Sequence, residues 1–221
     1  MPTHEELTEV SVSLTVLEPP AVPRLYFWAL QASFGPGAGA HLGLQWGADA
    51  PRRLLHVNWG GYGSGGGELR GSESVFPSSF GNPNTRDFDW DPGRPYRLTI
   101  TSDDEGWAGR VDRALVRHLR APGDVLTSPM VWSEVFADCD HPSVAVRWSD
   151  PEVVTRSGSR LAVGAVTVSY QDRRSGGCDN ISSTVDDHGF VQRTATHRVT
   201  PPGAVLQLPT SVRDPDRGGS R

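Results

Sequence analysis

The chain has no apolar run approaching the roughly 18 residues that a membrane-spanning helix needs. Its opening residues, Met1 to Val10, lack the basic head and apolar centre of a secretory signal. As written it is expected to be soluble, without membrane insertion: cytoplasmic as it stands, or secreted if a leader was removed. Cysteine is scarce, and Cys139 and Cys178 allow a single bridge. Both lie among turn residues, Asp138-Cys139-Asp140-His141-Pro142 and Gly176-Gly177-Cys178-Asp179-Asn180, where loop-to-loop disulfides are common. A bridge and two free thiols both stay open; zinc shared with His141 and His188 would need a spacing that no standard zinc pattern has. Excess positive charge is also missing. With a net charge of −5 and arginines interspersed among acids, no basic face exists for a phosphate backbone, so nucleic acid is not an expected partner. There is no fixed-period repeat, no Gly-x-Ser-x-Gly nucleophile elbow, no Gly-Lys-Ser/Thr phosphate loop and no Glu-x-Asp-x-Glu strand.

What the chain does have is turns and short alternating segments. Hydrophobic residues at 36% are enough for a core, and 25 Gly and 18 Pro supply its corners. Val12, Leu14 and Val16 alternate with Ser11, Ser13 and Thr15, as a strand with one wet face does. Further strands are expected at Arg24–Ser33, His41–Trp46, Arg53–Trp59, Arg94–Thr101, Trp107–Val111, Met130–Phe136, Ser143–Trp148, Leu161–Tyr170, Gly189–Ala195 and Ala204–Leu208. Val111 to Arg120 suits a short helix and an irregular strand equally. The fold class that follows is all-β, an antiparallel β-sandwich or jelly roll with little or no helix. A single domain is expected over residues 1–212, its core at about 10–209, with a disordered tail at 213–221.

Three constellations carry candidate chemistry. The segment from Asn58 to Glu68 is rich in glycine, and Trp59 and Tyr62 would offer ring faces to a sugar while Asn58, Ser64 and Glu68 supply hydrogen bonds. A mobile hairpin with Trp59 in the core reads equally from the same letters. Asn82 and Asn84, in Phe80-Gly81-Asn82-Pro83-Asn84, form a second binding-type loop. In Asp87-Phe88-Asp89-Trp90-Asp91 the acids at 87, 89 and 91 share one face if extended, and calcium is the one cofactor such a face suggests; solvated loop acids are the plainer reading.

For catalysis the candidates are Glu134, a strand carboxylate among aromatics in Trp132-Ser133-Glu134-Val135-Phe136, Asp138 beyond it, and His56. Asp138 shares the face of Glu134 only if the strand continues. Lyase chemistry would draw on Tyr26, Gln31, Gln45 and His56. An enzyme would place Glu134 in a groove beside another ionisable group, with a perturbed pKa, and would bring Glu134, Asp138, His56 or Gln45 together within one cleft.

The order Tyr26-Phe27-Trp28 with Gln31, then Gly43-Leu44-Gln45, His56-Val57-Asn58-Trp59, Phe80-Gly81-Asn82, Trp90, Gly93 and Tyr96 resembles the bacterial DUF3472 group. These are proteins of unknown function, expected to be similar to concanavalin-A-like jelly rolls. The resemblance spans roughly Arg24 to Phe136. It implies that fold and a carbohydrate-related setting, and no catalytic residues. Where Glu-Gly would follow the Phe-Gly pair, this chain has Asn82-Pro83-Asn84. The expectation is a lectin-like, non-catalytic carbohydrate-binding sandwich. The alternatives are a polysaccharide-degrading hydrolase or lyase on the same fold, or a structural protein-interaction module.

Overall fold

The alternation in the sequence becomes two packed antiparallel layers. The structure is a computed structural model and describes residues 5–35, 37–47, 55–79 and 81–209. The expected tail at 213–221, together with Arg53 and Phe80, lies outside the described residues. The first layer is built from β2 (Tyr26–Phe34), β3 (Ala38–Trp46), β4 (Leu55–Tyr62), the short β5 (Ser78–Ser79), β6 (Asn82–Asp87) and β10 (Leu126–Val135), in the order β10-β2-β3-β4-β6-β5. The second contains β1 (Leu7–Glu18), β7 (Pro95–Asp103), β8 (Gly106–Val111), β9 (Ala114–Leu119), β11 (Ala145–Thr155), β14 (Ser182–Asp186) and β15 (Gly189–Arg193), ordered β14-β15-β11-β1-β7-β8-β9, with β12 (Arg160–Ala162) on β11. A small pair, β13 (Ala165–Thr167) with β16 (Val205–Gln207), stands apart. β1 pairs along its length with β7 and β11 and, among the described residues, is ladder-paired to the first layer only where Leu7 meets Leu126 of β10.

Period two decides which side chains enter the core. Val10, Val12, Leu14 and Val16 of β1 are buried, as are Tyr26, Trp28, Leu30, Ala32 and Phe34 of β2. The layers meet through aromatics: Phe34 stacks on Trp107 at 4.2 Å between ring centroids, and the Trp59 indole N–H donates to the Trp107 carbonyl at 3.3 Å. Gly109 makes that approach possible, because a Cβ there would lie 2.6 Å from the Trp59 ring. The β-sandwich expectation is met.

The segment from Val111 to Arg120 is a hairpin and not a helix. Asp112 takes the left-handed conformation (φ 55°), which Asp tolerates because its short polar side chain finds local donors. Here its carboxylate accepts from the Arg97 backbone N–H and from Arg94. Residues 82–87, expected as a loop and an acidic turn, are strand β6 instead, paired with β4 from His56↔Asp87 to Asn58↔Thr85.

Cys139 and Cys178 are bridged, with Cα atoms 5.6 Å apart, so neither is available to a metal. The bond links residues 39 apart and ties the segment after β10 to the loop before β14. In the chain-entropy account such a closure stabilises by about 4 kcal/mol. Thermal unfolding with and without reductant should therefore differ by about 8–16 °C in Tm.

Candidate functional site

The register of the first layer assembles a row of side chains that lie far apart in the chain. Glu134 of β10 pairs with Phe27 of β2, Phe27 with Gln45 of β3, Gln45 with His56 of β4, and His56 with Asp87 of β6. Directly opposed residues point to the same side of a sheet, so these five share the face turned away from the core. The neighbouring rows add Trp132, Ala29, Gly43 and Asn58, then Met130, Gln31, His41 and Gly60. This outer face is partly closed by its own side chains: Phe27 and His56 are buried and Gln45 half-buried.

Aromatic packing shapes the middle of the face. Phe27 meets Trp132 edge-on at 5.0 Å and His41 at 5.4 Å, and Trp132 meets His41 at 5.7 Å. The Trp132 indole donates to Gln31 Oε1 at 2.9 Å, which fixes the ring. Gly43 is required here, since a Cβ would stand 2.7 Å from the Phe27 ring edge. The Phe27 ring thus leans over Gly43 and away from the row it starts in. Phe27 is the residue that stands between Glu134 and Gln45 in that row. Two strand spacings, about 9–10 Å, separate those two backbones.

Electrostatics sets Glu134 apart from the surface acids. Its carboxyl reaches solvent, yet the surrounding side chains exclude enough water to raise its pKa above the usual glutamate value. Burial lowers the pKa of His41, and burial likewise lowers that of His56 although Asp87, 3.4 Å away, pulls the other way. For both histidines the folded state favours the neutral ring. Their contribution to stability is present above the unfolded value of about 6.5 and is lost as pH falls through the depressed folded value. Tm should therefore drop on acidification below about pH 6.5, and His41→Gln should flatten that dependence in a Tm-against-pH series.

The sequence-predicted residues divide. Glu134, Gln45, His56 and Asn58 share the face, Asn58 donating to Thr85 Oγ1 at 2.9 Å while its own Oδ1 has no hydrogen-bond partner among the described residues. Asp138 is a correction: β10 ends at Val135, and Asp138 lies in a turn where its carbonyl accepts from the His141 N–H. Trp59 is a second correction, because it is fully buried and presents no face to a sugar. Tyr62 is half exposed and bridges to Glu68, with Ser64 exposed nearby, so that part of the glycine-rich loop is surface without its expected partner. Asn84 is buried and its Oδ1 accepts from Arg117, whereas Asn82 is exposed and caps the Asn84 N–H. Asp87, Asp89 and Asp91 do not converge: among the described residues no three acidic, histidine or cysteine groups could hold a metal ion. Phe27, His41, Trp132 and Met130 went unnoticed as site residues, although polar residues at alternate positions of buried strands (Gln31, His41, Gln45, His56) were the signal.

Two surface depressions lie on the second layer. One of about 480 Å³ on the second layer is lined by Glu9, Arg97, Asp150, Glu152 and Arg160. Arg160 there bridges Glu152 at 2.7 Å and Glu9 at 3.4 Å, so much of the lining's charge is paired within it. Among the described residues no helix is long and apolar enough to cross a membrane.

No family model matches the chain, and no curated protein matches it. Solved structures do: scytalido-glutamic peptidase with a transition state analog inhibitor is 13% identical, with a TM-score of 0.45. The same peptidase with a peptide-based transition state analog is 9% identical, with a TM-score of 0.38. Each match covers 86% of this chain and 93% of the other. No chemistry is carried across likenesses this distant.

Proposed function

We propose that the outer face of the first layer is the active surface of a hydrolase acting on acyl bonds, amide or ester, with Glu134 as acid and base and Gln45 as the group that receives the developing oxyanion. The supporting observation is the row that places Glu134 and Gln45 on either side of Phe27, whose ring leans away. In its ionised form Glu134 takes a proton from water as the water oxygen bonds to the carbonyl carbon. The Gln45 side-chain N–H donates to the oxygen that gains charge, and Glu134 then returns the proton to the departing nitrogen or oxygen as the acyl bond breaks. A raised pKa suits a group that must both accept and give a proton in mildly acidic solution. Trp132, Phe27 and Met130 give the surface an apolar floor for a substrate side chain.

A glycosidase is less well supported. It needs two carboxyl groups about 5–9.5 Å apart, and the other acid in the row, Asp87, stands four strand spacings from Glu134, roughly 19 Å. Hydrolysis of a quenched fluorescent peptide mixture and of chromogenic esters, across pH 3 to 7, tests the proposal. No turnover of any acyl substrate at any pH would reject it. A second reading, carbohydrate binding, keeps one observation in its favour, the exposed Tyr62 beside Glu68. Affinity electrophoresis on soluble polysaccharides, with Tyr62→Ala as control, addresses it.

A further inference from the structure

At one end of the sandwich, away from the outer face, two guanidinium groups are shut in together. Arg86 of β6 pairs with the core residue Val57 and is 6% exposed; Arg117 of β9, from the opposite layer, is 4% exposed. Arg117 donates to the Pro83 carbonyl and, at 3.1 Å, to Asn84 Oδ1, both neutral acceptors. The Nε–H groups of both arginines have no hydrogen-bond partner among the described residues, and no ion pair there joins either to a carboxylate. Burial and the nearby positive charge of Arg86 both lower the pKa of Arg117. Even so, a guanidinium does not deprotonate in a protein.

Two like charges held out of water without a counter-charge are costly by any account of buried ions. The backbone closes over them: a Cβ at Gly71 would fall 2.4 Å from an Arg117 terminal nitrogen, and Gly71 bridges to Leu119 at the end of β9. Glu68 and Glu73, on the same glycine-rich segment, act on Arg117 through space but make no ion pair with it among the described residues.

We propose that Arg86 and Arg117, with Asn84 orienting Arg117, bind a small inorganic oxyanion of the phosphate or sulfate type between the two layers, beneath the segment that carries Gly71. Guanidinium N–H groups match oxyanion oxygens in geometry and charge. The site is independent of the hydrolytic row: Arg86 and Thr85 are adjacent in β6 and point to opposite faces.

The test uses the whole chain, freed of phosphate and sulfate, and follows Tm against low-millimolar sodium phosphate and against sodium gluconate at equal ionic strength. A saturable rise with phosphate and none with gluconate is expected, reaching about 5–10 °C once phosphate is a hundredfold above its dissociation constant. In Arg86→Met, which keeps the straight apolar stem and removes one of the two charges, the phosphate response should vanish and Tm without phosphate should equal or exceed the wild-type value. Equal responses to both salts, or an unchanged phosphate response in Arg86→Met, would overturn the site. Calorimetry on the doubly substituted Glu68→Gln, Glu73→Gln chain gives an arm that does not depend on a core variant folding. Severalfold tighter phosphate binding is expected there, because two competing negative charges are gone. Unchanged binding would show that phosphate sits elsewhere, and a large loss of Tm in that chain, with no phosphate response in wild type, would make a loop carboxylate the counter-charge.

Discussion

Glu134→Gln should lower kcat for acyl-bond hydrolysis by about 10²–10⁴-fold, the range that a positioned acid and base contributes, while leaving the fold intact. The amide has the carboxyl's shape but neither accepts a proton from water nor returns one. Gln45→Ala should cost about 10²–10³-fold, as removal of a single oxyanion donor does. The two losses should combine less than multiplicatively, since both groups serve the same transition state. Stability separates this from a folding defect. The folded protein raises the pKa of Glu134, so the favourable contribution of this group is present below the unfolded value and is lost as pH rises through the folded one. Above that pH the glutamine variant should be at least as stable as wild type by thermal unfolding. A wild-type rate that falls on acidification, with its midpoint above the ordinary glutamate value, and loses that inflection in Glu134→Gln would identify the titrating group. A variant with wild-type kcat would remove Glu134 from the chemistry.

Acidity also works against the protein. As pH falls, Glu134 is protonated and can no longer act as the proposed base, and His41 and His56, both held neutral by burial, withdraw their support. Activity should therefore be lost on the acid side by two routes, protonation of Glu134 and unfolding. A plot of activity beside one of Tm over the same pH series displays the two limits separately.

Trp59→Ala should destabilise the protein by about 3–5 kcal/mol, the usual cost of emptying a buried aromatic site. Trp59 is fully buried, lies over Gly109, meets Phe34 at 6.4 Å and spends its indole N–H on the other layer. Its loss opens a gap and leaves the Trp107 carbonyl without that donor. A Tm lower by about 6–20 °C is expected. An unchanged Tm would mean that the ring is outside the core.

Trp59 also marks what can be read from letters alone. A tryptophan at an alternating strand position has the same neighbours in sequence whether it faces a core or a ligand; only the second layer, which brings Trp107 and Gly109, decides. β1, β2, β7 and β8 were legible because period-two alternation is local. β6 was not, since Asn82-Pro83-Asn84 and Asp87 carry turn chemistry, and pairing with β4 overrides it. The shared row of Glu134 and Gln45 was hidden for another reason. It exists because β2 lies between β3 and β10, and strand order is a property of the whole chain. Each residue was visible singly; their shared row was not.

The position of β1 carries a kinetic consequence. It is the central strand of the second layer, yet its partners β7 and β11 begin at Pro95 and Ala145, the latter about 140 residues behind Leu7. At synthesis rates of about 5–20 residues per second, β11 leaves the ribosome some 7–30 s after β1. Until β7 emerges, a strand bearing Val10, Val12, Leu14 and Val16 has both hydrogen-bonding edges bare, and one edge stays bare until β11 follows, which is the condition for pairing with a neighbouring nascent chain. The molecule is thus a late closer, with a high contact order and millisecond-to-second folding once released. Yield on expression should depend more on what shields β1 in those seconds than on the stability of the finished sandwich.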